Sequence, residues 1–401
     1  YGSIKENAFV RTASQPVSTF GADVDTASYA NVRRIIESGT EVPAGAVRLE
    51  ELVNYFRYED PRPAPGQPFG VRMETAECPW EPGHRLMKIS LCTRDVAPAA
   101  RPPANLVFLV DVSGSMDEKN KLPLVKKGLQ ILADGLRPED RIAMVTYAGN
   151  SGLALAPTSG AQKSTIRRAI RQLDAGGSTN GGQGIELAYR MASEHFIRGG
   201  VNRVILATDG DFNVGVTDQS ELERLITGKA KSGVFLSVLG FGMGNLKDST
   251  LEMLADKGNG NYAYIDSAEE ARKVLEADAG GTLLTVAKDV KLQVQWNPAA
   301  AQRYRLLGYE NRIMASEDFA NDRRDSGDMG AGQHVTVLYQ YEPGTARAGT
   351  LATLNIRHKL PESDTSTMVG FTCSAGGTVP FAEASDDFRF AAAVTSFGLL
   401  L

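Results

Sequence analysis

Histidine and cysteine are scarce in this chain, and their scarcity removes much of the familiar reactive chemistry at once. Its 401 residues include four histidines and three cysteines. Cys78, Cys92 and Cys373 show no CxxC or Cys/His spacing, which argues against a zinc site or a dithiol motif. Their odd number leaves at least one thiol unpaired within the chain, and in an oxidising compartment one disulfide could join two of them, in a pairing the sequence leaves open. His84, His195, His334 and His358 fall singly among predicted elements, and each reads as a surface or packing residue rather than a general base. No GxxxxGK[ST], HExxH or GxSxG run is present, so the common nucleotide, zinc-protease and serine-hydrolase signatures are excluded. Apolar runs are short, and none approaches the length of a membrane span. Neither sign of charge dominates: the net charge is −5 and no long basic tract occurs, which argues against nucleic acid or an anionic membrane surface as a main partner. The chain starts at Tyr1, not at an initiator methionine, which fits a processed start and a lost signal peptide.

What is present is an ordinary globular composition, 42% hydrophobic and 23% charged. At about 150 residues per domain the length allows roughly two or three domains. Residues 1–67 read as an arm followed by two amphipathic helices. Asp25 stands at an N-cap position before Tyr29, Val32, Ile35 and Ile36, and Leu49, Leu52, Val53 and Phe56 line a second helix that the Pro-rich stretch 61–68 ends. Asp23 and Asp25 are read as helix-capping carboxylates and not as a metal motif. Two strand-like runs, VRMETAECPW and HRLMKISLC, then meet at Glu-Pro-Gly as a hairpin. A lone hairpin is marginal in water, so its partners are sought in the alternating runs after residue 280. Residues 68–103 and 280–380 are thus expected to form one discontinuous β-sandwich. Residues 381–401 form a helix packing back on Phe388, Ala391, Val394 and Phe397 or Leu400. The charged loop 316–332 lacks an EF-hand ligand pattern and reads as a solvated connection.

Between those halves, residues 104–279 alternate Val/Ile/Leu-rich strands with amphipathic helices. That alternation predicts a doubly wound α/β domain with a mostly parallel sheet, whose ligands sit past the carboxyl ends of the strands. Three oxygen-rich clusters lie there: Asp111-Val-Ser113-Gly-Ser115, a Gly-rich turn around Thr179, and Thr208-Asp209-Gly210-Asp211. Carboxylates and hydroxyls without a neighbouring His or Cys suit a hard cation, Mg²⁺ first and Mn²⁺ or Ca²⁺ as alternates. Period-two spacing in an extended exit would keep Asp111, Ser113 and Ser115 on one side, with Gly114 permitting a tight path. Asp111 and Asp209 would balance a divalent cation without saturating it, leaving it open to an added carboxylate. Asp211 and Asn213 are candidates for supporting these ligands from behind and equally for forming the turn.

In that order, DxSxS, a Thr in a Gly-rich turn and TDG resemble the metal-ion-dependent adhesion site of von Willebrand factor A domains. The resemblance implies that Asp111, Ser113, Ser115, Thr179 and Asp209 are the metal positions. GADVDTASYANVRR, AVRLEELVNYF, CPWEPGHRLMKI, RLLGYENR and SDDFRFAAAV further resemble bacterial YfbK-like proteins across nearly the whole chain. This implies an extracytoplasmic or periplasmic, cell-envelope protein of a family that is often lipid-anchored, the anchoring cysteine then preceding Tyr1. Three functions stay open at this stage. One is a non-enzymatic, cation-dependent adhesion module that binds a Glu or Asp of a protein partner; the others are a structural envelope protein that recognises partners through its β domain, and a metal-dependent hydrolase.

Overall fold

A computed structural model of the chain describes residues 4–148, 151–177, 182–210, 219–242, 247–277, 284–322, 324 and 326–401. Two compact units emerge, Val96–Leu284 as one and Gly2–Asp95 with Thr285–Leu401 as the other. Before the inserted unit come β1 (Val10–Arg11), β2 (Val17–Gly21), α1 (Ala27–Glu37), α2 (Leu49–Asn54), β3 (Phe69–Glu77) and β4 (Arg85–Thr93). The inserted unit runs β5 (Ala104–Asp111), α3 (Leu122–Gly135), β6 (Arg141–Tyr147), β7 (Ser151–Ser159), α4 (Lys163–Arg171) and α5 (Gly182–Glu194). It continues with β8 (Val201–Thr208), α6 (Gln219–Lys231), β9 (Phe235–Phe241), α7 (Asp248–Lys257), β10 (Tyr262–Ile265) and α8 (Ala268–Ala277). The chain then returns to the outer unit through β11 (Thr285–Trp296), β12 (Ala301–Leu307), β13 (Ile313–Met314), β14 (Met329–Gly330), β15 (His334–Pro343), β16 (Thr350–Lys359), β17 (Ser366–Ser374) and α9 (Asp386–Leu400).

The inserted sheet has the order β10-β9-β8-β5-β6-β7 and is parallel except for β7, which pairs antiparallel with β6. Its centre is β5, ANLVFLVD, every residue of which is buried. Such an unbroken apolar run is what a strand covered on both faces requires. Leu106, Phe108 and Val110 join one core with residues of α3, α4 and α8. Val107 and Leu109 point to the opposite face, where a Cβ on Gly184 of α5 would lie 3.1 Å from Leu109 Cδ1 and 2.8 Å from Tyr147 Cβ. The chain leaves β5 toward β6 and later returns on its other side as β8, so the switch point falls between the carboxyl ends of β5 and β8. Edge strand β7 escapes a sequence reading because its apolar residues do not all face inward: Leu153 is exposed where Leu155 is buried, and Gly152 and Pro157 break the run with turn-type residues.

The outer unit is a sandwich. The sheet β1-β12-β15-β4-β3 and the sheet β13-β2-β11-β16-β17, with β14 paired to β11, share a core of Phe20, Ile89, Leu292, Val337 and Ile356 among others. Helices α1, α2 and α9 cover the other face of the first sheet, packing Val32, Leu52 and Phe388 against Leu86 and Leu338. Several local expectations need correcting. Residues 1–17 are not only an arm, because Val10–Arg11 pairs with β12 and Val17 begins β2. Asp25 is not the N-cap residue: α1 has Thr26 there without a side-chain cap bond, and Asp25 accepts from Arg312 at 3.2 Å. Helix α9 buries Phe388, Ala391, Ala392, Val394, Thr395 and Gly398 and leaves Phe397 and Leu400 exposed. Gly398 draws the stripe round, since a Cβ there would lie 2.5 Å from Leu49 Cδ2. The loop 316–332 is partly inside, with Met329 fully buried in β14. All three cysteines are buried free thiols.

One buried acid in this unit makes its stability depend on pH. Glu50 of α2 is 4% exposed, its Oε2 has no hydrogen-bond partner, and Gly308 approaches so closely that a Cβ there would lie 2.6 Å from that oxygen. Burial, aided by the charges of Glu51 and Glu310, pushes its carboxyl up to about 7. A carboxyl whose folded value lies above its unfolded one stabilises fully at pH below the unfolded value, and that contribution is lost as pH rises through the folded value. Stability should therefore fall by roughly 3 kcal/mol between about pH 4.5 and about pH 7 on account of this residue. Urea unfolding of Glu50→Gln should show that decline flattened, with the variant more stable than the parent at about pH 8. An unaltered pH profile would contradict the assignment.

Candidate metal centre

β5 delivers Asp111 to the carboxyl edge of the sheet and buries it completely. Its Oδ1 accepts from the Ser113 backbone N–H at 2.9 Å, and its Oδ2 accepts from the Tyr147 hydroxyl at 3.1 Å and the Thr208 hydroxyl at 3.3 Å. The parallel register explains the convergence: Tyr147 is the residue opposite Asp111 on β6, and Thr208 ends β8 on the other side. Thr208 Oγ1 also accepts from Gly210 N at 3.2 Å, which orients its own hydrogen toward the carboxylate.

Beyond Asp111 the backbone does not stay extended as the spacing implied. Ser113 is extended, but residues Gly114–Asp117 form a 3-10 turn held down by the fully buried Met116. This turn, not period-two alternation, sets Ser113 Oγ and Ser115 Oγ 3.0 Å apart. Gly114 is not needed for a tight path either: its φ is not positive, a Cβ would meet only Gly177 O at 3.6 Å, and its N–H donates to that oxygen at 3.1 Å. Asp209 follows β8 and is also buried.

Lys121, at the N-cap of α3, links the two halves and went unrecognised in the sequence. Its Nζ donates to Ser115 O at 2.9 Å, pairs with Asp209 Oδ2 at 3.2 Å and with Glu118 Oε1 at 3.3 Å, and its side chain is 3% exposed. Gly242, at φ +78, clears the way for its stem, since any Cβ there would overlap Lys121 Cε. Only a lysine ahead of an apolar helix marks it in the sequence; nothing local says that it turns back to Asp209. Tyr147 was equally unmarked, although its place at the end of β6 put it at the right sheet edge.

Electrostatics sharpen the picture. Burial, the largest influence, raises the Asp111 carboxyl above its usual range; hydrogen bonds from Ser113 work the other way, and the charge of Asp209 adds to the rise. Burial and the Asp111 charge lift the Tyr147 phenol far above its usual value, which fixes it as a hydrogen donor. Burial opposes charge on Lys121, yet the hydrogen bonds and charges of Asp209 and Glu118 outweigh it and raise the ammonium. Four of the five expected positions, Asp111, Ser113, Ser115 and Asp209, are thus gathered at the switch point. Thr179, with Asp211 and Asn213, lies outside the described residues. Two carboxylates and two hydroxyls, with no nitrogen or sulfur donor, are a set that fits a hard divalent cation. Hydroxyls as neighbours leave much of a cation's charge unneutralised.

Comparison with known proteins agrees with this architecture. The family model described as von Willebrand factor type A domain matches residues 105–277, one described as von Willebrand factor matches residues 1–88, and one described as Uncharacterized protein YfbK, C-terminal, matches residues 281–350 and 340–401. The uncharacterized protein YfbK of Escherichia coli (strain K12) is 43% identical over 424 residues, which cover 99% of this chain and 73% of that protein. Inter-alpha-trypsin inhibitor heavy chain H1 of Sus scrofa is 30% identical over 199 residues, covering 47% of this chain and 22% of the pig protein. Among solved structures, a von Willebrand factor type A protein from Catenulispora acidiphila is 15% identical with a TM-score of 0.47, covering 81% of this chain and 75% of that one.

The buried, mutually repelling acids predict opposite effects on stability and binding. Asp111→Asn should raise the unfolding temperature in EDTA, because it removes a desolvated charge, and should abolish stabilisation by added Mg²⁺. For the parent that stabilisation is about 2.7 kcal/mol at about 100 times the dissociation constant. Thermal unfolding of both proteins with and without Mg²⁺ checks this; an equal Mg²⁺ shift in the variant would refute the assignment.

Proposed function

The chain belongs to the YfbK family of proteins carrying a von Willebrand factor A domain, and from that premise we propose that it is a non-enzymatic, Mg²⁺-dependent docking module of the bacterial cell envelope. A domains of this kind generally mediate protein–protein interactions. The ligand proposed here is an acidic side chain, Glu or Asp, of a partner protein. A divalent ion held by Asp111, Ser113, Ser115 and Asp209, with Thr179 as the fifth position, supplies Lewis acidity toward that carboxylate. Mn²⁺ and Ca²⁺ suit the same oxygen donors. The envelope location rests on the family resemblance.

The observation that carries the reading is Lys121 on Asp209. Counting Asp111 and Asp209 as one negative charge each and Lys121 as one positive gives a net −1 for the buried groups, against −2 for the two aspartates alone; the Glu118 carboxylate, which also pairs with Lys121, is exposed and adds its charge from the solvent side. Lys121 occupies part of the Asp209 carboxylate and lowers its donor strength. Tyr147 and Thr208 likewise draw on Asp111 Oδ2. A site so depleted of negative charge binds its cation less tightly but favours an added anion more. That is the balance expected of a docking point. A water-activating centre would need a free base beside the donors; among the described residues around the two aspartates, Tyr147 is held protonated, Lys121 is held charged, and the Glu118 carboxylate is paired with Lys121.

Two expectations test this. Immobilised protein should retain partners from envelope extracts in Mg²⁺ and release them in EDTA, and Ser113→Ala should lose that retention while keeping its circular dichroism spectrum; retention that survives EDTA would overturn the proposal. Lys121→Met should tighten Mg²⁺ binding in calorimetry by roughly ten-fold, about 1.4 kcal/mol, while weakening partner retention. Loss of both, in a folded variant, would contradict the charge argument.

A further inference from the structure

A second constellation lies in the outer unit. β4 and β15 are antiparallel neighbours in which Cys92 stands directly opposite His334. Cys92 Sγ is 3.9 Å from His334 Nε2, and His334 Nδ1 is 2.7 Å from Asp60 Oδ2. A thiol, an imidazole and a carboxylate in that order are the elements of an activated nucleophile, the carboxylate orienting the ring and stabilising its protonated form. The sheet brings this about through a missing side chain. The residue facing Cys92 on its other side is Gly70 of β3, and a Cβ there would overlap the backbone of Pro61. The segment after α2 therefore lies flat on this face: Tyr58 covers Lys88, with Nζ 4.8 Å from the ring centroid, and Asp60 meets His334. The Asp60 side chain is 1% exposed and its Oδ1 is buried without a hydrogen-bond partner, so its charge is directed to few neighbours. His334, 31% exposed, opens the group to solvent.

We propose that Cys92 is a covalent modification site, a thiol activated by His334 and Asp60 that reacts with small hydroperoxides. The thiol gives up to water the proton it shares with the Thr93 carbonyl oxygen, 3.2 Å away, and His334, held as the imidazolium, pairs with the thiolate that remains. The thiolate attacks the terminal peroxide oxygen, the S–O bond forms as the O–O bond breaks, and the leaving oxygen carries off the proton held at Nε2. Sulfur is oxidised to a sulfenic acid, the peroxide is reduced to an alcohol or water, and the imidazole left neutral takes a proton back from water. The Asp60 hydrogen bond and the adjacent sulfur hold His334 up to about 9, which supports the imidazolium that this transfer needs. Small size is demanded of the oxidant because Cys92 itself is 5% exposed.

The chain contains its own controls. Cys78 and Cys373 are 7% and 6% exposed, close to Cys92, but burial raises both thiols, Cys373 to about 11. Access is therefore comparable, and what sets Cys92 apart is the His334 ring opposite it. The folded full chain is treated with hydrogen peroxide in the presence of dimedone, and adducts at each cysteine are followed by mass spectrometry. Cys92 should be trapped roughly ten-fold faster than Cys78 or Cys373, and His334→Asn, at a partly exposed position, should bring it down to their rate. Equal rates for the three cysteines in the parent, or an unchanged Cys92 rate in folded His334→Asn, would overturn the proposal.

Discussion

Two carboxylates buried at the ends of neighbouring parallel strands set the terms for the inserted unit. Asp111 and Asp209 are both removed from water and repel one another. Left alone, such a pair costs several kcal/mol. The sheet answers with donors fixed by its own register: Ser113 N–H, the Tyr147 hydroxyl and the Thr208 hydroxyl on Asp111, and the Lys121 ammonium on Asp209. The cost is compensated only in part, as the raised Asp111 carboxyl records. Incomplete compensation is what a cation site requires, because a fully satisfied pair would have nothing left to offer a metal.

Those donors also explain why the surrounding packing is tight where it is. Gly184 lets α5 close on Tyr147, and Gly242 lets the Lys121 stem pass, so two glycines far apart in sequence hold the two donors in place. Met116 anchors the 3-10 turn that presents both serines. Structure and charge thus meet at one sheet edge, and the folded scaffold positions oxygens that would otherwise separate.

The sequence reveals this unit's elements well because buried parallel strands read as unbroken apolar runs. ANLVFLVD declares β5, and the alternation of such runs with amphipathic helices declares the α/β class. β7 and β12 are harder: one is an edge strand interrupted by Gly152 and Pro157, and the other, AQRYRLL, mixes charged and apolar residues as a strand with one solvated side does. At the site, the sequence marks Asp111, Ser113, Ser115 and Asp209 through short motifs, but the 3-10 geometry that unites the serines has no periodic signature. Lys121 and Tyr147 are invisible for a different reason, since their roles arise from long-range contacts. The same applies more strongly to Cys92, His334 and Asp60, where separations of 242 and 274 residues defeat any local pattern.

The central claim is that the Asp111 edge holds a divalent cation through oxygen donors alone. Crystals grown with Mn²⁺ and measured at its absorption edge test it most directly. The account predicts one strong anomalous peak within coordination distance, about 2.0–2.6 Å, of oxygens of the Asp111, Ser113 and Ser115 side chains, lost on exchange into EDTA. A peak elsewhere, or none at this edge in a folded and well-diffracting crystal, would contradict it.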